Sequence, residues 1–152
     1  MNDDLRELLD LLKSHGVDFL VIGAHAVSFY DRPRMTEDID LWIGRDIENA
    51  NRLKEALEEF GAPIGDKGAR KFAGPDNQLI RLGTPPNMVD LLNFAGTRPF
   101  ADVYSRRQTG EILGTPALFP DIDDLIEMKQ AAGRPQDLAD IARLRSKRAR
   151  HA

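Results

Sequence analysis

Residues 38–43 read Asp-Ile-Asp-Leu-Trp-Ile, two acids one residue apart at the head of an apolar run. If this stretch is a strand, its side chains alternate between faces, so Asp38 and Asp40 share one face, roughly 7 Å apart, while Ile39 and Leu41 take the other. Two like charges on one firm element repel, and no apolar burial is gained by putting them there. A divalent cation removes the difficulty, because hard carboxylate oxygens suit Mg2+ that also keeps waters and phosphate oxygens. The alternative is that Asp38 caps or solvates a strand end and Asp40 simply faces water.

The residues ahead of the pair bear on that choice. Val17 to Ile22 is a short apolar run that predicts a strand, Gly23-Ala24 ends it, and His25 to Tyr30 carries small and apolar residues at helical spacing. A strand that turns through glycine into a helix presents free backbone N–H groups and the positive end of a helix dipole, which suit phosphate. Such a turn alone is weak evidence, since any strand-to-helix junction uses one. Followed a dozen residues later by a carboxylate pair, it sets a phosphate cradle beside a metal site.

A third acid stands in Met88-Val89-Asp90-Leu91-Leu92. Burying an unpaired carboxylate inside an apolar run costs several kcal/mol unless it is paired or binds metal. Asp90 therefore either completes a three-carboxylate site beside Asp38 and Asp40 or caps the turn at Asn93.

Taken together, the Gly23-Ala24 turn, Asp38-Ile39-Asp40 and Val89-Asp90-Leu91 resemble the nucleotidyltransferases related to DNA polymerase beta. The likeness extends through RPRMTEDIDLWI and, near the C-terminus, LIEMKQAAGRPQDLADIARL, covering most of residues 17–144. It is similar to the small bacterial branch that includes nucleotidyltransferase toxins of abortive-infection and toxin-antitoxin systems. The resemblance implies an α/β (α+β) fold, a small mixed sheet wrapped by helices with a C-terminal helical hairpin. It implies a nucleoside triphosphate substrate, two Mg2+ (or Mn2+) ions on Asp38, Asp40 and Asp90, and a hydroxyl acceptor on an RNA 3′ end such as that of tRNA, on a protein or on a small molecule. A cognate antitoxin or toxin is the implied partner. Gly23 and Ala24 are then the phosphate-binding turn, with Ala24 a departure, since many relatives carry a second Gly or a Ser whose hydroxyl helps hold phosphate. Lys129 and Asp137, the lysine and first aspartate of the C-terminal segment, belong by the same likeness to the surroundings of the site. The rival class is a non-catalytic module that binds nucleotide or a partner on the same fold.

Arg32, Arg34 and Thr36 lie in the loop before the acids; Arg34 and Thr36 are the expected nucleotide contacts, an arginine fork being suited to a triphosphate, with a surface salt bridge as the alternative for the arginines. Among Arg134, Asp137 and Asp140 an ion-pair network bracing the hairpin is the competing reading.

The rest of the chain is scaffold. Its 152 residues predict one domain over residues 1–147, with 148–152 a disordered basic tail. Cysteine is absent, which excludes disulfides, thiolate metal sites and a cysteine nucleophile. The amphipathic, charged N-terminus does not read as a signal peptide and no apolar run approaches the ~20 residues of a membrane span, so a cytoplasmic protein is expected. Net charge is -4, yet residues 143–152 hold five Lys/Arg and no acid, a tail that touches nucleic acid or merely ends a helix. Leu5, Leu8, Leu9 and Leu12 predict a helix over 3–15, and Ile47, Ala50, Leu53, Leu57 and Phe60 another from Asp46 to Phe60. Residues 62–77, rich in Gly, Pro and charge and holding Lys67, Arg70 and Lys71, read as a loop or hairpin near the site. Strands are expected at 78–82 and 88–92, a short helix at 98–107, extended pieces at 111–113 and 116–119, and helices at 122–132 and 135–147. Leu138, Ile141 and Leu144 are expected to pack inward from the last of these.

Overall fold

A computed structural model describes residues 3–31, 38–84 and 87–151. The period-3.6 leucines produce helix α1 (Asp3–Ser14), whose Leu5, Leu8, Leu9 and Leu12 are all buried. Strand β1 (Phe19–Ile22) runs directly into helix α2 (Gly23–Tyr30). Strand β2 (Ile39–Ile43) follows, then α3 (Ile47–Phe60), started by the Asp46 carboxylate accepting from Asn49 N–H and stopped at Gly61 in the left-handed region.

Helix α4 (Gly65–Phe72) corrects the expected loop over 62–77. Glycines at 65 and 68 weaken local helix preference, but Ala69 and Phe72 are buried and α4 packs on α3, so tertiary burial decides. Lys67, Arg70 and Lys71 are exposed on this helix. Strands β3 (Leu79–Thr84) and β4 (Asn87–Leu92) form an antiparallel hairpin. Helix α5 (Phe100–Ser105) leads to a second hairpin, β5 (Gln108–Ile112) and β6 (Thr115–Phe119), then α6 (Ile122–Ala132) and α7 (Pro135–His151) form the helical hairpin. Helix α7 continues past the expected end at Lys147, so residues 148–151 are helical, and Arg148 pairs with Asp123 at 2.6 Å.

The four-stranded sheet has the order β1-β2-β4-β3, mixed because β2 and β4 run parallel while the outer pairs are antiparallel. Its two faces divide the hydrophobic residues. Phe19, Val21, Ile39, Leu41, Ile43, Val89 and Leu91 join the large core with α1, α3, Phe72, Leu125, Ile141 and Leu144. Leu20 and Trp42, on the opposite face, join Val103 and Met128 in a smaller cluster. That second face is only partly covered, and alternation places Asp40 and Asp90 on it. The expected inward stripe of α7 is also corrected: Leu138 is 60% exposed, and the buried positions are Asp137, Asp140, Ile141 and Leu144. Acids take core positions here because Lys129 of α6 is itself buried and faces them.

Candidate functional site

Register makes a row across the sheet. Ile22 pairs with Asp40, Asp40 with Asp90, and Asp90 with Arg81. Neighbouring strands lie about 4.8 Å apart, so the second and third acids stand side by side, as the three-carboxylate reading requires. Asp38 precedes the strand by one residue and is exposed. Burial pushes the Asp40 carboxyl above the ordinary range, the charges of Asp90 and Asp38 push it further, and Lys129 and Arg134 pull it back. Both neighbouring acids thus act against a charged Asp40.

Gly23 sits next in chain to the row and has φ +70, a left-handed conformation that glycine adopts freely. A Cβ there would collide with Asp40 Oδ2 and stand 3.3 Å from Asp40 Cγ. Glycine at this position is therefore tied to the position of the carboxylate as well as to the turn. Helix α2 has no side-chain cap at its N-terminus, so its first N–H groups are left for a ligand or water.

A cleft of about 480 Å³ opens over this corner, lined by Gly23, Asp40, Leu92, Phe94, Met128, Lys129, Arg134 and Asp137 among others. Lys129 Nζ lies 3.1 Å from Asp137 and 3.3 Å from Asp140. Arg134 donates to Asp137 from Nε at 2.8 Å and from its backbone N–H at 3.1 Å. Burial works against a charged Asp137, but these hydrogen bonds from Arg134 and Lys129 outweigh it and hold the carboxyl at about 2. The bracing network expected among Arg134, Asp137 and Asp140 is present with Lys129 at its centre, and Lys129 and Arg134 also favour the charged form of Asp40.

Arg81 was not picked out in the sequence. Its guanidinium forks onto Asp90, Nε to Oδ1 at 2.9 Å and a terminal nitrogen to Oδ2 at 3.1 Å. The signal was available, since counting equal steps from the Thr84–Asn87 pair brings Arg81 opposite Asp90. Asn93, also unforeseen, is buried and ties the loop after Phe72 to the sheet edge: it donates to Phe72 and Asp76 carbonyls and accepts from Gln78 N–H. Ala24 lies in the first turn of α2, and its carbonyl accepts from the Ser28 hydroxyl at 3.0 Å. Arg34 and Thr36, the expected nucleotide contacts, and Arg32 fall outside the described residues.

The donor set fits a hard divalent cation, three carboxylates with mutual repulsion to relieve. With Asp90 turned to Arg81, however, the described residues contain no group of three acid or histidine side chains already converged on one ion position. No described helix is long and apolar enough to cross a membrane.

Residues 1–148 match the family described as "Nucleotidyl transferase of unknown function (DUF2204)". No curated protein matches the chain. Among solved structures, the lincosamide antibiotic adenylyltransferase LnuA in its lincomycin-bound form is similar at 13% identity and TM-score 0.56, over 97% of this chain and 98% of that one. ANT(2″)-Ia in complex with adenylyl-2″-tobramycin shares 13% identity at TM-score 0.55, over 97% of each chain. A Thermotoga maritima protein assigned as a nucleotidyltransferase, TM1012, shares 16% identity at TM-score 0.54, over 93% of this chain and 88% of that one. At these identities the likeness shows the nucleotidyltransferase fold.

Proposed function

The chain belongs to the nucleotidyl transferase family DUF2204, and from that premise we propose that it moves a nucleoside monophosphate from a nucleoside triphosphate to an acceptor hydroxyl, using Asp38, Asp40 and Asp90. The observation that carries this reading is the corner where Gly23, at the mouth of α2, packs under Asp40 with Asp90 in the adjoining register position. Backbone N–H groups at the start of α2 receive the triphosphate, and the left-handed glycine lets it approach closely. Mg2+ or Mn2+ on the three carboxylates would supply charge stabilisation at the phosphoryl group and lower the pKa of the acceptor hydroxyl. Asp90, once free of Arg81, takes the acceptor proton. Lys129 and Arg134, which line the cleft, offset part of the negative charge that develops as pyrophosphate departs. Ala24 leaves this contact to the backbone alone. No covalent protein intermediate is needed.

The acceptor is best sought first among small hydroxylated molecules. An open cleft of about 480 Å³ with an apolar wall of Leu92, Phe94 and Met128 suits a ligand of that size, and LnuA and ANT(2″)-Ia are solved with lincomycin and an adenylylated tobramycin. RNA 3′ ends, as in tRNA, and protein hydroxyls are the other acceptors to assay, and a toxin-antitoxin setting would supply a partner protein. One observation favours the non-catalytic alternative: Asp90 already has a cation, Arg81. The experiment is pyrophosphate release with each of the four nucleoside triphosphates against panels of small hydroxylated compounds, tRNA and protein, in Mg2+ and Mn2+. Transfer that is lost in Asp90→Asn with nucleotide binding retained is expected; tight nucleotide binding with no release for any acceptor establishes the binding module instead.

A further inference from the structure

Arg81 is the member of the acid row to which the transfer reading gives no role. Its side chain is 56% exposed while that of Asp90 is 12% exposed, so the acid is set in the sheet and the cation reaches it from the water side. Both carboxylate oxygens of Asp90 are engaged by the fork. Arginine stays charged throughout the physiological range, so pH does not release the pair. A competing polyanion does: the arginine side of the fork is open to water, and a triphosphate offers the guanidinium several oxygens in the planar, forked geometry it prefers.

We propose that Arg81 is a releasable counter-ion that sets the order of binding. Paired with Arg81, Asp90 is withheld, and the resting protein holds one divalent ion on Asp38 and Asp40. An incoming triphosphate draws the guanidinium onto its own oxygens, which frees Asp90 for the second ion. The pair therefore guards against filling the acceptor-side position before nucleotide arrives. This rests on the transfer reading of the site.

The test uses the full chain in two separate titrations that do not depend on turnover. In the first, Mn2+ binding without nucleotide is counted by electron paramagnetic resonance. Wild type is expected to bind one ion per chain, Arg81→Gln two, the second about tenfold or more tighter than any second ion in wild type, and Arg81→Gln with Asp90→Asn one again. In the second, binding of inorganic tripolyphosphate is measured calorimetrically with all metal chelated, and Arg81→Gln is expected to weaken it about tenfold. Opposite signs in the two titrations support the proposal, because a merely structural role for an exposed arginine would not strengthen one ligand and weaken the other. Unchanged Mn2+ stoichiometry in Arg81→Gln overturns it, as does weakening of both ligands. If wild type and variant bind no Mn2+ at all, the transfer reading falls with it. If the two titrations behave as expected while no acceptor yields pyrophosphate, the counter-ion stands and the transfer reading fails.

Discussion

Replacing Gly23 by alanine adds one carbon at the point where the turn, the helix start and Asp40 meet. Two separate costs follow. The backbone at φ +70 disfavours any residue with a Cβ by about 1–2 kcal/mol. The new Cβ also collides with Asp40 Oδ2, with Asp40 Cγ at 3.3 Å and Cβ at 3.4 Å. The colliding atom is the far end of a side chain that is only half-buried, so the fold escapes by moving the carboxylate. Stability should therefore fall by only the backbone cost, a drop in Tm of about 2–8 °C for a chain of this size, while pyrophosphate release falls about a hundredfold or more, the scale on which small misplacements of a reacting group act. The assay is thermal unfolding beside turnover, repeated in an Asp40→Ala background. There the collision is removed and only the Cβ contact at 3.4 Å remains, so the stability cost of Gly23→Ala should be the same backbone strain as in the wild-type background. Gly23→Ala with near-wild-type turnover would refute the reasoning, because it would show that the carboxylate need not stay where the glycine lets it sit.

Asp40→Asn should abolish transfer and raise Tm: the folded-state pKa of Asp40 is raised by burial and by Asp90 and Asp38, so its ionisation costs stability once pH rises above the unfolded value near 4. Scans at pH 4 and pH 8 check this, the gain being confined to the higher pH. Asp137 behaves oppositely, since its pKa is lowered to about 2. Its contribution is fully present above pH ~4 and is lost as pH falls toward 2; discounted for the 61% exposure of Arg134, it is worth about 1 kcal/mol and should be missing from the acid limb of the unfolding profile in Asp137→Asn. Asn93→Ala removes three hydrogen bonds at a buried position and leaves their partners unsatisfied, which should cost about 3 kcal/mol as read by urea denaturation.

How much of this was legible in the sequence depended on how local the deciding interaction is. The leucine stripe of α1 and the α3 helix expected from Asp46 to Phe60 are written in single residues and came out as read. The Gly23 turn and the alternation around Asp40 were equally plain. Helix α4 was hidden because Gly65 and Gly68 speak against a helix and only Phe72 and Ala69, buried beside α3, speak for one. Leu138 was expected inside, where hydrophobicity would send it, but Lys129 draws Asp137 and Asp140 inward and the helix turns Leu138 out. Arg81 was missed for a different reason. Its position opposite Asp90 follows from the hairpin register, which can be counted, yet nothing in a strand-by-strand reading asks which side chains meet across it.

The hairpin that carries Arg81 and Asp90 also bears on how the chain assembles. Their contact closes a loop of nine residues, whereas Asp90 meets Asp40 in a parallel pairing across fifty residues of sequence. Short loops close at lower entropic cost and faster than long ones. A β3–β4 hairpin formed early delivers Asp90 with its charge already matched, so the docking of β4 beside β2 does not have to drive two bare carboxylates together. With glutamine at position 81 that approach would be made against uncompensated repulsion, and the refolding limb, more than the unfolding limb, would slow.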